Sequence, residues 1–582
     1  MSYKTIVITG MCAVLGLGLS GCFSKEKQFK NTLRLATPAK IKGLDPAHSD
    51  DMYSGIEVSR AYEGLLQYHY LKRPYELEAN LAESMPTISK DGKTYTFKIR
   101  KGVLFQDDPC FKTTEGKGRE LNASDFVYSW KRLADPKTVS TGWWILDGKL
   151  VGLNAWRDEA SKSGAADYTQ DVEGLRALDA YTLQLKLVSP SAQILYNIAQ
   201  QFAFAVPHEA VEFYGKELLN HAVGTGPFQL VEFNGASKVI WKKNPTFRQQ
   251  LYPSEGASGD REAGLLVNAG QPIPFVDGIV TTVFEESQPA WLNFLAQKLD
   301  ASAIPKDNFN QAISESKGLV EELKAKGIVL HKAPTLDVTH QTFNMADPVV
   351  GRNKYLRQAL SMSIDRAQII ELFHNGRGIS AQTPIPPGVS GYDEAYKNPY
   401  VQYDVAKAKE LLVKAGFPGG KGLPELEYST MADTTSRQMS DALAKSFDVL
   451  GVKLKVNSYS WPEFQRNIRE KKGQIWGMAW GADYPDAENF LQLLYSKNSS
   501  PGPNDANYSN AEFDRLYEKS LTLMESPART ILYKKMAQLI VEDCPWIFEM
   551  HRLSFGLTQP WLKNYKPHDF DHARAKYYRL SK

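Results

Sequence analysis

The stretch Trp480-Gly481-Ala482-Asp483-Tyr484-Pro485-Asp486-Ala487-Glu488-Asn489-Phe490-Leu491 sets one carboxylate, Asp483, among aromatic rings on a segment of small residues. Gly481 and Ala482 allow another backbone to approach closely, while the π-faces of Trp480 and Tyr484 attract a cation and exclude water. The stretch therefore reads as a seat for an ammonium group. The main-chain groups of Trp480 to Ala482 suit an extended ligand that pairs as an added strand. Taken in isolation, Asp483 fits a helix cap or an interlobe salt bridge better than a ligand seat.

Bulk properties narrow the setting. With 69 Lys and Arg against 66 Asp and Glu the formal charge is +3, and the basic residues form no stripe suited to a phosphate backbone. No nucleic-acid partner is expected. At 582 residues the chain exceeds one core and suggests about three domains. Lys4, the apolar run Ile6 to Leu19 and the box Leu19-Ser20-Gly21-Cys22 read as a lipoprotein signal. Residues 1–21 would be removed, Cys22 lipidated, and 22–30 left as a polar tether. The apolar run is shorter than the ~20 residues of a spanning helix, so the membrane is reached through lipid alone. Cys110 and Cys544 then remain, either paired or as buried thiols. Neither has a C-x-x-C partner, the histidines form no metal-binding spacing, and neither metal nor cofactor is expected.

The periodicities are those of a mixed α/β chain. Thr32 to Ala36, Tyr95 to Ile99, Gln229 to Phe233 and Val452 to Val456 alternate as strands. A helix begins at a cap on Asn122 or Ser124 and places Phe126, Val127 and Trp130 on one face. Asp404 caps another, with Val405, Ala408, Leu411, Leu412 and Ala415 inside and Gly416 as terminator. Gly224-Thr225-Gly226-Pro227 reads as a tight turn with structural glycines, and about 248–274 as a surface loop.

Short blocks recur in a telling order: Tyr62-Glu63-Gly64-Leu65, Leu81-Ala82-Glu83-Ser84, Asp91-Gly92-Lys93-Thr94-Tyr95-Thr96-Phe97, Gly224-Thr225-Gly226-Pro227, and Arg357-Gln358-Ala359-Leu360 with Ile364-Asp365-Arg366. With the Asp483 stretch, they make the mature chain resemble the extracellular solute-binding proteins of family 5, the oligopeptide- and dipeptide-binding type of peptide importers. The resemblance implies a two-lobed clamp of the type II periplasmic-binding-protein kind, with the extra domain of the peptide binders. The implied division is 31–67, 205–295 and 550–582 for one discontinuous lobe, 68–204 for the extra domain beside it, and 296–549 for the second lobe. The implied role is that of a lipid-anchored binding subunit in the bacterial cell envelope. It would capture short peptides and deliver them to the permease of an ATP-driven (ABC) importer, acting as a monomer and performing no chemistry.

The same resemblance assigns residues. Asp483 matches the carboxylate that holds a ligand's α-amino group, flanked by Trp480, Gly481, Ala482 and Tyr484. Trp461 falls where an aromatic lines a side-chain pocket, and core packing beside Pro462 is the other reading. Trp143 and Trp144 lie near a ligand-touching tyrosine of the family, and Met52 and Tyr53 on a segment that contacts ligand backbone. The chain departs from the oligopeptide binders where basic residues meet the ligand carboxylate: Gly477 and Ile468 stand there, with Arg469 next to the latter. Other cargoes on the same scaffold are a nickel or haem chelate or an oligosaccharide, and a signalling receptor is a further use. An envelope hydrolase would need more than the S-x-x-K matches at Ser24–Lys27 and Ser314–Lys317, or Asp483 and Asp486 acting as a carboxylate pair.

Overall fold

The structure, a computed structural model, describes residues 29–581 apart from 192, 433, 501 and 571, and without the side chains of 434, 461 and 462. The expected signal and Cys22 lie outside the described residues. Among the described residues no helix is long and apolar enough to cross a membrane.

Thr32–Thr37, the alternating segment read from the sequence, runs parallel to Gly278–Val283, and this pair continues antiparallel into Lys238–Lys243 and Phe228–Asn234. A second sheet, Thr87–Ile88, Thr94–Lys98, Thr182–Lys186 and Leu175–Asp179, is covered by the helix Ala123–Ala134. That helix starts where Asn122 caps it. The Asn122 side chain accepts from the Ser124 N–H (2.8 Å), and the Asp125 carboxylate accepts from the Asn122 N–H (2.9 Å), a reciprocal capping box. Its buried face, Phe126, Trp130 and Leu133, joins Leu33, Tyr95, Trp241 and Tyr577 in one continuous core. The segment 68–204 thus packs into the same core as the sheet beside it.

Two of the sequence blocks interlock. The Gly226 N–H donates to the Ala61 carbonyl (2.7 Å), and a Cβ on Gly224 would stand 2.0 Å from that oxygen. Glycine is required because the backbones touch. The Glu63 carboxylate then accepts from the Thr225 hydroxyl (3.0 Å) and from Arg248 (2.6 Å), which clamps the turn to the Tyr62–Leu65 segment.

The second lobe is built on an eight-stranded sheet in the order Ala301–Ala303, Trp546–Thr558, Asp337–Phe343, Ile475–Gly481, Leu426–Met431, Leu454–Tyr459. Val329–Pro334 and Gly378–Ser380 also pair with Trp546–Thr558. The expected boundary at 549/550 falls inside this one strand. Its first half pairs with Asp337–Phe343, and its second half with Val329–Pro334 and Ala301–Ala303. A separate small core, Trp291, Phe294, Phe309 and Leu557, packs against Ala36 and Phe284 of the first lobe. Asp300 secures that junction by accepting from the Arg34 N–H (2.7 Å) and the Trp561 indole N–H (2.8 Å). Val405–Lys414 is capped by Asp404 and followed by Gly416 at φ +90, as its spacing predicts. Cys110 and Cys544 are both buried and free, so the pairing left open by the sequence is not made.

Several histidines are held neutral by burial. His340 stacks 3.7 Å from Trp546, and desolvation pushes its pKa down to about 3. The same cause brings His331 and His572 to about 4, the latter aided by Arg574 and Arg60. Unfolded, these rings titrate near 6.5, so between about pH 6.5 and 4 the unfolded chain binds more protons. Their contribution to stability is complete above that window and is lost as the pH falls through it. His48, raised chiefly by its hydrogen bond to Asp45, works the other way, favouring the fold below 6.5 and ceasing to do so as pH rises through its folded pKa. The three neutral rings outnumber it and the Asp505 carboxyl, which burial raises to about 6 and which likewise favours the fold as the pH falls. The melting temperature should therefore fall steadily from pH 7 to pH 5, and His340→Gln should flatten the slope. A melting temperature constant over that range would contradict this reading.

Candidate functional site

A cavity of about 600 Å³ lies between the lobes. The first lobe contributes Met52, Tyr68, Trp144, Phe202 and Phe204, the second Trp480, Ala482, Asp483 and Pro503, and the returning C-terminal segment Asp569, Phe570, His572 and Lys576. At ~30 Å³ per water it holds on the order of twenty waters, within the usual range of ligand sites.

Asp483 is positioned by the strand before it and the asparagine after it. Ile475–Gly481 pairs along its whole length with Asp337–Phe343, but on its other side the ladder to Leu426–Met431 ends at Trp476. Among the described residues Met478 to Gly481 therefore has one ladder neighbour and an edge that can take another strand, while the Gly477 main chain already meets the Tyr428 hydroxyl. Asn489, fully buried, then fixes the turn. Its side-chain oxygen accepts from the Asp483 N–H and the Trp480 indole N–H, both at 3.0 Å, and its amide donates to the Asp483 carboxylate at 3.0 Å. Asp483 stays open to the cleft, and among the described residues no Lys, Arg or His forms an ion pair with it. The surrounding protein strips its hydration and raises its pKa, against the pull of Asn489. A positive group entering the cleft would supply the missing countercharge.

The other two acids of the stretch are structural. Asp486 accepts from Arg529 and from the Tyr533 hydroxyl, each at 2.7 Å, and from the Glu488 N–H at 2.9 Å. Glu488 accepts from the hydroxyls of Tyr484 (2.6 Å) and Tyr517, and burial raises its pKa. Asp486 is thus not free to act with Asp483 as a catalytic pair. At Ser314–Lys317 the serine contacts Ser316 and the lysine is taken by Glu371 (3.0 Å), which leaves no nucleophile and base together.

Of the residues singled out in the sequence, Met52, Trp144, Trp480, Ala482 and Asp483 line the cavity. Tyr484 does not, contrary to the expected π-face for a cation: it is 6% exposed, turned inward by its bond to Glu488, and stacked on Tyr196 of the first lobe (5.7 Å, 6°). Trp143 is likewise outside the lining, under the Arg157 guanidinium (5.1 Å). Tyr53 packs on the first core, and Gly481 lies on the strand without lining the cavity. Trp461 opens the helix Trp461–Arg469, and its side chain is not described. Arg469 does not line the cavity. Its charge instead acts on Asp505, whose pKa burial pushes up to about 6. Sequence reasoning missed Tyr68, Phe202, Phe204, Asp569, Phe570 and His572. The Phe202-Ala203-Phe204 alternation was the only local signal for any of them.

The sequence profile described as bacterial extracellular solute-binding proteins, family 5 middle region, matches residues 76–502. The chain belongs to that family. Among its relatives are heme-binding protein A of Haemophilus influenzae, 25% identical over 546 residues (92% of this chain, 90% of the relative), and the oligopeptide-binding protein OppA of Bacillus subtilis, 26% identical over 551 (93% and 91%). The dipeptide-binding protein of Escherichia coli is 26% identical over 503 residues (84% of each chain). In fold, this family 5 protein is similar to HbpA2 from Haemophilus parasuis, with a TM-score of 0.77 at 21% identity over 95% of this chain and all of that one. It is also similar to DppA from Helicobacter pylori in complex with the peptide STSA, with a TM-score of 0.69 at 24% identity over 96% and 99%. The fold class is therefore the mixed α/β architecture of the periplasmic binding proteins, and at family level these are binders, not enzymes.

Proposed function

We propose that this protein is the binding subunit of an ABC importer, that it captures short peptides between its lobes by their free α-amino group, and that it hands them intact to a membrane permease from a lipid anchor at Cys22. The carrying observation is the Asp483 carboxylate, open to the cavity, without an ion-pair partner among the described residues, and set beside Trp480 on a strand edge. An ammonium supplies its charge, and the free edge of Met478 to Gly481 supplies main-chain pairing that does not depend on the ligand's side chains. A peptide is the ligand class that offers both.

Calorimetric titration of the purified protein tests this. A free-amine tripeptide should bind and be recovered uncleaved, while its N-acetylated form should bind at least about tenfold more weakly. Equal affinity for the two would remove the ammonium role, and recovery of cleaved peptide would remove the transport role. Fatty-acid labelling of the wild type, lost in Cys22→Ser, tests the anchor; an unlabelled wild type would refute it.

A further inference from the structure

Most of the cavity's acids have partners. Asp50 and Asp51 share Lys42 (2.9 and 3.8 Å), and Glu63 holds Arg248 (2.6 Å). Among the described residues Asp569 joins Asp483 in having no ion pair. Its carboxylate accepts from the Tyr75 hydroxyl at 2.9 Å, and the Leu336 N–H of the second lobe approaches it. Two donors leave lone pairs unused on a carboxylate. Arg73 and Arg574 act on Asp569 from longer range: the Arg73 guanidinium donates to the carbonyls of Lys72 (2.7 Å) and Pro567 (2.5 Å) and lies 4.2 Å from the Tyr75 ring, and Arg574 donates to the His568 carbonyl (2.9 Å).

Aromatic rings complete the surroundings. Phe570, next in sequence, lies 5.2 Å from the Tyr68 ring, and Phe570 and Tyr68 both line the same cavity as Asp569. Tyr68 is 6% exposed, and its hydroxyl has no hydrogen-bond partner among the described residues. The carboxylates that act on it are Asp486 and Asp483. The Asp569 carboxylate with its spare acceptor capacity and the neighbouring Phe570 ring, both on the cavity wall, are together a seat for a second cation.

We infer that Asp569, with Phe570, forms a basic side-chain subsite, so that the cleft selects short peptides carrying a lysine or arginine in addition to the free α-amino group. The inference rests on the peptide reading of the cleft and adds the charge class of the cargo.

Titrating Ala-Lys-Ala and Ala-norleucine-Ala, which differ by one ammonium, tests it. The wild type should bind the lysine peptide about tenfold more tightly, Asp569→Asn should bring the ratio near one, and Phe570→Leu should reduce it. Asp483→Asn should weaken both peptides by a similar factor and keep their ratio. Asparagine can still accept from Tyr75; if thermal melting shows that Asp569→Asn is nonetheless misfolded, Phe570→Leu decides. A wild-type ratio near one, or a ratio unchanged in the folded variants, overturns the subsite and leaves peptide binding standing. If neither peptide binds the wild type, the reading beneath it fails instead.

Discussion

Asp483→Ala is expected to weaken binding of a free-amine tripeptide by roughly ten- to a hundredfold, or about 1.4–2.8 kcal/mol. The size follows from the environment. A charge-assisted bond contributes ~1.5–3 kcal/mol, and this carboxylate has shed part of its hydration before any ligand arrives. Asp483→Asn should lose nearly as much, because the amide keeps the shape and the Asn489 contact and lacks the charge. The N-acetylated peptide provides the control, since it brings no ammonium and should lose little more in either variant. Matching losses for free and acetylated peptides would mean that the substitution disturbs the turn and not the charge pairing.

Arg529→Met should cost about 3–5 kcal/mol of stability, read as a lowered urea midpoint with unchanged slope. The guanidinium is 2% exposed, donates to Asp486 at 2.7 Å and to the Ser520 carbonyl at 3.2 Å, and shares Asp486 with Tyr533. Removing it strands a buried carboxylate. A second change, Asp486→Asn in the same chain, should recover part of the loss, because the stranded charge is gone. If the single variant melts like the wild type, Asp486 is not the anchor of this turn.

The strands and capped helices were legible because they rest on local chemistry. Asn122, Asp404 and the alternation of Thr32 to Ala36 act within a few residues of themselves. Asp483 was expected at the cleft from its small and aromatic neighbours, and it lines the cavity; its ligand role belongs to the proposal. Tyr484 was misplaced for an instructive reason: its partners Glu488 and Tyr196 come from the next helix turn and from a distant segment, Glu488 is itself held by Tyr517, and only the assembled fold turns its ring inward. The same limit hid Tyr68 and Asp569, whose rings and carboxylates meet through pairings some five hundred positions apart, such as Tyr75 with Asp569. The single strand Trp546–Thr558 was cut by an expected boundary because its two halves serve different neighbours, which no periodicity reveals.

The stack of Tyr196 on Tyr484 joins the lobes without lining the cavity. On the proposed clamp mechanism a ligand leaves only when these rings part, whatever its sequence. Tyr196→Ala is therefore expected to raise the dissociation rates of all bound peptides by a similar factor and to leave their order of preference unchanged, a separation of holding from choosing that stopped-flow dissociation of two peptides checks.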